Sequence, residues 1–298
     1  MSTVCNAARS QPAQIMDLKH ILILSIQASV MCSVFSFGLR ATAGDLLYVV
    51  QHPGLLARSL LAVFVIMPAV AVLLVRTFDF RYAVEVTLVA LAISPLPPLL
   101  PKKETKAGGS AAFALGLMAW LALLSIVLIP AALKLLELYY GRELAIAPRS
   151  LVQILMMSVL LPLVAGVLVR AALPRMAQKV AGPLNMTANV LLVVGALVLL
   201  IGALPAIGKL IGQGTLVAMI IFTLAGLLTG HILALPQREH SVVLALSTAC
   251  RHPAIAFAVA TANFPHEPVG ATVLLYLLVA GIVCVPYVLW NRQRKALT

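Results

Sequence analysis

The chain has 298 residues, 62% of them apolar and only 10% charged, with a mean hydropathy of +1.07. A soluble domain would be about 45–50% apolar and 25% charged, so the composition excludes a soluble fold and describes a polytopic membrane protein. The net charge of +12 comes from lysines and arginines scattered between apolar runs, with no basic face and no interleaved aromatics, so nucleic acid is not expected as a partner and membrane lipid is.

In chain order, nine apolar runs lie between charged or Pro/Gly-rich breaks: residues 21–39, 54–75, 82–101, 109–136, 151–169, 183–207, 215–235, 241–262 and 269–290. About 20 apolar residues suffice to cross a bilayer as a helix, and the alternating pattern of a membrane barrel is absent. The fold class is therefore an all-α polytopic membrane protein of about nine transmembrane helices, organised as a single membrane domain (1–298). No basic segment precedes a short apolar core and cleavage site, so the first run is expected to be a true span and not a cleaved leader. Cys5, Cys32, Cys250 and Cys284 are spread too widely for a disulfide framework or a metal site.

Orientation follows from the basic residues. One set of loops holds Arg40, Arg58, Lys102, Lys103, Lys106, Arg170, Arg175, Lys179, Arg238, Arg292, Arg294 and Lys295, twelve in all, and the other holds eight. The larger set, with the C-terminus, is placed in the cytoplasm.

Two runs are interrupted at corresponding places. The third breaks at Pro95-Leu-Pro-Pro and is followed by a run carrying Pro130; the eighth breaks at Pro253 and is followed by a run carrying Pro286. Proline removes a helix donor and clashes with the preceding turn. Paired breaks of this kind are a pointer to the binding site of a transporter built from repeats, here about 21–140 and 148–291.

Beside the second break stands Arg251. An arginine at membrane depth costs about 3 kcal/mol on insertion scales, so it must face protein or water. It has two readings: a tethered cation that takes an anionic substrate through its planar fork, or a donor that ties off carbonyls freed by the breaks. His252 has two as well, a proton relay or a neutral imidazole bonded to the backbone, and a charged neighbour favours the second. Lys102 and Lys103 either draw anions toward the first break or are ordinary loop cations. Ser247, Thr248, Asn185 and Asn189 either line a cavity or make interhelical hydrogen bonds; Asn185 and Asn189 share a helix face. Glu85 falls too far from Pro95 along a straight helix to partner Arg251, and is placed near the outer interface. No enzymatic signature is present, so the chain is expected not to be an enzyme.

These residues also resemble a known family. AVFVIMPAVAVLL, ALAISPLPPLLPKKETKAGG, SAAFALGLMAWLALLSIVLIP and HSVVLALSTACRHPAIAFAVATANF follow one another as the corresponding segments do in bile acid:sodium symporter family proteins, over roughly residues 30–290. The resemblance implies two inverted repeats, a panel domain, and a core domain whose two broken helices cross at mid-membrane. It also implies a secondary transporter of a small organic anion working by alternating access, with substrate near the crossing and Pro95 in the first break. Sodium is the implied ion. Yet Ser247, Arg251 and His252 stand where the family carries its sodium-site glutamate, glutamine and asparagine, and Leu100-Pro101 stand where it carries serine and asparagine. Hard cations need oxygen ligands, so sodium coupling is not expected from these residues, and no other cofactor or metal is. A proton-coupled or uncoupled carrier, or a membrane ligand sensor of the same fold, are the alternatives.

Overall fold

The computed structural model describes residue 22 and residues 24–141, 143, 144, 146–212 and 214–295. The first residue of the first predicted span, Cys5, Arg9, Lys19, Arg142 and residues 296–298 lie outside these. All regular structure among the described residues is helical: α1 (Leu24–Gly38), α2 (Ala43–Gln51), α3 (Pro53–Thr77), α4 (Tyr82–Ile93), α5 (Leu100–Lys106), α6 (Ala111–Tyr140), α7 (Pro148–Ala172), α8 (Pro174–Leu210), α9 (Thr215–Leu233), α10 (Arg238–Ala249), α11 (Pro253–Asn263) and α12 (Val269–Lys295).

Seven stretches among the described residues are long and apolar enough to cross a membrane: α3, α6, α7, α8, α9, α10 with α11, and α12. An eighth arises if α1 and α2 count as one span bent by 86°. The third predicted span, 82–101, is interrupted at Pro95 as expected, and so does not count as a spanning helix. Ser94 takes an extended conformation and the prolines that follow keep the chain out of helix until Leu100, which leaves the 12-residue α4 too short to span alone.

Two further departures have local causes. α2 forms where a loop was predicted, because Thr42 and Asp45 close a capping box: Asp45 N donates to Thr42 Oγ1 and Thr42 N donates to Asp45 Oδ2 at 2.7 Å. The helix then lies on α6, where Trp120 Nε1 donates to the Leu46 carbonyl at 2.9 Å. Gly116 permits that approach, since a β-carbon there would sit 2.9 Å from the Asp45 carbonyl. The predicted loop 170–182 is likewise mostly helix. α7 runs to Ala172 and α8 restarts at Pro174, whose missing donor is one that a first turn does not use. Pro130, Pro183, Pro205 and Pro286 all sit inside continuous helices, as membrane helices tolerate when neighbours re-satisfy the backbone.

One large buried cluster draws residues from every helix, α1 through α12, and a small one, Leu39 with Ala177 and Ala181, joins the end of α1 to α8. The interrupted pairs α4/α5 and α10/α11 belong to the large cluster. That is where the site is built.

Candidate functional site

The two interruptions meet. α10 ends at Ala249, Cys250 turns extended, and Pro253 opens α11 with His252 as its N-cap. The His252 amide donates to the Pro95 carbonyl at 2.8 Å, a main-chain bond between the two breaks. The His252 ring is buried; its Nδ1 accepts from the Ile255 amide at 3.4 Å, and its Nε2 has no partner among the described residues. The Tyr276 hydroxyl of α12 donates to the Ala249 carbonyl at 2.6 Å, satisfying an acceptor that the helix end leaves free.

Arg251 is fully buried. Its Nη1 donates to the Ser94 carbonyl at 3.1 Å, where α4 stops, and to the Val63 carbonyl at 3.2 Å. Val63 lies in a π-helical turn, Ala62–Ile66, at the middle of α3; such turns loosen the regular ladder and free backbone acceptors. Two hydrogen bonds to a charged donor, worth about 1.5–3 kcal/mol each, match an insertion cost of about 3 kcal/mol. Arg251 thus ties off freed carbonyls through one nitrogen, while Nε and Nη2, an edge that forms a two-pronged fork, meet no partner among the described residues.

Next to this crossing lies a group that the sequence reading passed over. Ser247 Oγ donates to Glu104 Oε1 of α5 at 2.6 Å, and both residues are fully buried. Glu104 stands in a Lys-Lys-Glu-Thr-Lys run that reads as a loop of cations; nothing in the pattern marks one carboxylate as buried. Thr248, one residue on, is buried and donates to the Leu244 carbonyl of its own helix at 2.7 Å. The thiols of Cys250 and Cys284 share a hydrogen bond at 4.0 Å and form no disulfide.

A second polar cluster bridges α5 and α8. Lys102 Nζ donates to Asn185 Oδ1 at 3.1 Å, and Asn189 Nδ2 donates to the same oxygen at 3.0 Å. The shared face read for the two asparagines is therefore a contact, with Lys102 added to it. Lys103 is partly buried and is not part of this cluster. The candidate residues fall into two groups: Arg251, His252, Pro95 and Ser247 at the crossing, and Lys102, Asn185 and Asn189 between α5 and α8.

A cavity of about 280 Å³ opens on the other side of the first break, between α4, α6 and α11. Val86, Val89, Ile93, Leu133 and Val259 make it apolar, while Tyr82, Glu85, Tyr140 and Asn263 supply polar groups at the helix ends. Its innermost residue on α4, Ile93, directly precedes Ser94, whose carbonyl holds Arg251. A more open cleft at the other end of the molecule is lined by Arg40, Arg170 and Gln178. Among the described residues no group of three or more His, Cys, Asp or Glu is placed to hold a metal ion.

In comparisons with known proteins, residues 28–210 match the family model described as the Sodium Bile acid symporter family. The match takes in the first break and the Lys102–Asn185 cluster and stops before α10 and α11. No curated protein matches the chain.

Proposed function

The chain belongs to the sodium bile acid symporter family, a family of membrane transporters, and from that premise we propose that it is a secondary carrier of a small organic anion, bound near the crossing of α4/α5 and α10/α11. The observation that carries this reading is the Arg251 guanidinium: one nitrogen is committed to the Ser94 and Val63 carbonyls, and the Nε–Nη2 edge is left to take a carboxylate or sulfonate. The apolar cavity that ends at Ile93 suits the hydrocarbon body of such a substrate. Glu85 at its far end disfavours an anionic head there and so orients the head inward.

Arg251 is fully buried, so substrate reaches it only when the crossing opens to one side or the other, which is alternating access. The two halves, about 21–140 and 148–291, each supply one break to that hinge. The positive charge asymmetry puts the C-terminus and the α5 lysines in the cytoplasm. Leucine and proline at 100 and 101, with Arg251 beside the second break, favour a carrier that does not use sodium.

The test uses purified full-length protein in proteoliposomes, with taurocholate and a panel of simple aliphatic and aromatic carboxylates as probes. Saturable uptake of at least one anion is expected, unchanged when choline replaces sodium at constant ionic strength. Absence of uptake and of ligand-dependent thermal stabilisation across the panel would overturn the carrier reading, and a steep sodium dependence would overturn the coupling reading. Arg251→Lys keeps the charge without the fork and Arg251→Gln removes it. Losing one buried charge-assisted contact of a few kcal/mol weakens affinity by on the order of a hundredfold. Unchanged affinity in a variant with a lowered melting point would restrict Arg251 to holding the crossing together.

A further inference from the structure

The Glu104 carboxyl is the one buried acid of this crossing, and the function above does not use it. The turn after α5 fixes its place: Gly108 takes a left-handed φ of 97°, and the Gly109 amide donates to the Glu104 carbonyl at 2.9 Å. The Ser110 amide then donates to the Glu239 carbonyl of α10 at 3.3 Å, which clamps α5 against α10. The lysines of α5 do not pair with the acid, although Lys103 lies near enough to act on Cys250 and Cys284. Lys102 is bonded to Asn185 on α8, Lys106 is exposed, and neither they nor Lys103 form an ion pair with Glu104. α10 presents Ser247, His240 two turns earlier on the same face and, at its end, Cys250, which is bonded to Cys284 of α12; the first turns of α6 carry no titratable group; Arg251, past the end of α10, spends Nη1 on carbonyls. One carboxyl oxygen accepts from Ser247 and the other, Oε2, is buried with no partner among the described residues.

A carboxylate taken out of water needs a positive partner, since one hydroxyl does not repay its desolvation. A metal ion asks for several oxygens around it, and this place offers a single free one. A proton asks for one lone pair. We propose that Glu104 is a proton-binding site: Oε2 takes a proton from water while the crossing is open, closes neutral against α10, and returns the proton to water when α5 and α10 next part. The balance is carboxylate plus hydronium to carboxylic acid plus water, with no change of oxidation state. A monoanionic substrate carried with that proton crosses without net charge. This transport step rests on the carrier reading; the proton site does not.

The first measurement therefore uses no substrate. Infrared difference spectra of the full-length protein in lipid nanodiscs, taken between acidic and alkaline buffer, should show a protonated-carboxyl C=O band that Glu104→Gln abolishes. The Ser247→Ala variant should shift the same band, because it removes the hydroxyl bonded to that carboxyl, and it identifies the band even if the glutamine variant folds poorly. A band unmoved by both substitutions overturns the proposal. So does a band that ignores pH and disappears on adding sodium, which would make this a metal site. In proteoliposomes, an imposed proton gradient should drive accumulation of the transported anion by wild type, and Glu104→Gln should lose accumulation while keeping counterflow. Accumulation that survives Glu104→Gln overturns the role in coupling. If the band titrates and depends on Glu104 but no anion moves, the carrier reading falls and the proton site stands.

Discussion

Two membrane spans with proline inside them behave in opposite ways. The α8 window has a mean hydropathy of 2.9 and only 11% of its residues are buried, and Pro183 and Pro205 leave its helix continuous. The α10–α11 stretch has a mean hydropathy of 1.6, 72% of its window is buried, and it breaks before Pro253. A lipid-facing helix cannot release backbone groups into hydrocarbon, so α8 stays wound around its prolines. A span wrapped in protein can be broken, because neighbours take up what the break releases. Here the Tyr276 hydroxyl donates to the Ala249 carbonyl, and the Pro95 and Ser94 carbonyls accept from the His252 amide and the Arg251 side chain. Apolarity alone therefore does not mark the working span. The less apolar and more buried of the two is the one that carries the chemistry.

The comparison breaks hardest at Arg251. Arg251→Leu suits the span by hydropathy but leaves the Ser94 and Val63 carbonyls without their shared donor. A loss of about 2–5 kcal/mol is expected, the scale for two buried acceptors left unpaired; denaturant-induced or thermal unfolding in detergent measures it. A Leu variant as stable as wild type would mean that the crossing does not depend on these bonds.

A glycine pair sharpens the contrast. A β-carbon on Gly226 of α9 would lie 2.7 Å from the Ala249 Cα and 2.9 Å from the Thr248 carbonyl, at the very end of α10. Gly226→Ala must push α10 off its neighbour and should cost about 1–3 kcal/mol. Gly202 of α8 has nothing within 4 Å of the same position, so Gly202→Ala should gain about 0.5–1 kcal/mol from helix entropy alone. The sign of the two changes, read in one unfolding assay, tests whether α8 is free of neighbours and α10 is not.

The smallest effect belongs to the asparagine pair within α8. Asn189→Ala removes a hydrogen bond to Asn185, which keeps its bond from Lys102, and should cost about 0.6 kcal/mol, the usual worth of a polar contact between membrane residues. A loss several times larger would show that the α5–α8 cluster holds more of the fold together than its one-turn spacing suggests.

The sequence alone determined which stretches are membrane helices, because apolar runs of sufficient length have no other stable place. It also pointed to both breaks, at Pro95, Pro97 and Pro98 and at Pro253, although proline alone does not decide a break, since Pro183 and Pro205 leave α8 continuous. It placed Arg251 among the residues that must find partners, and it put Asn185 and Asn189 on one face by period. It did not reveal α2, whose capping box lies in a stretch too short and too polar to read as a span, nor the π turn in α3 that frees the Val63 carbonyl. Nor did it choose among Arg251's partners, or tell Glu104 from the three lysines around it. Those were decided by contacts between distant parts of the chain, Arg251 with Val63 and Ser247 with Glu104. Hydropathy and period describe a residue's preference for one solvent over another; which carbonyl or hydroxyl answers a buried charge depends on how the helices pack, and only the tertiary structure holds that.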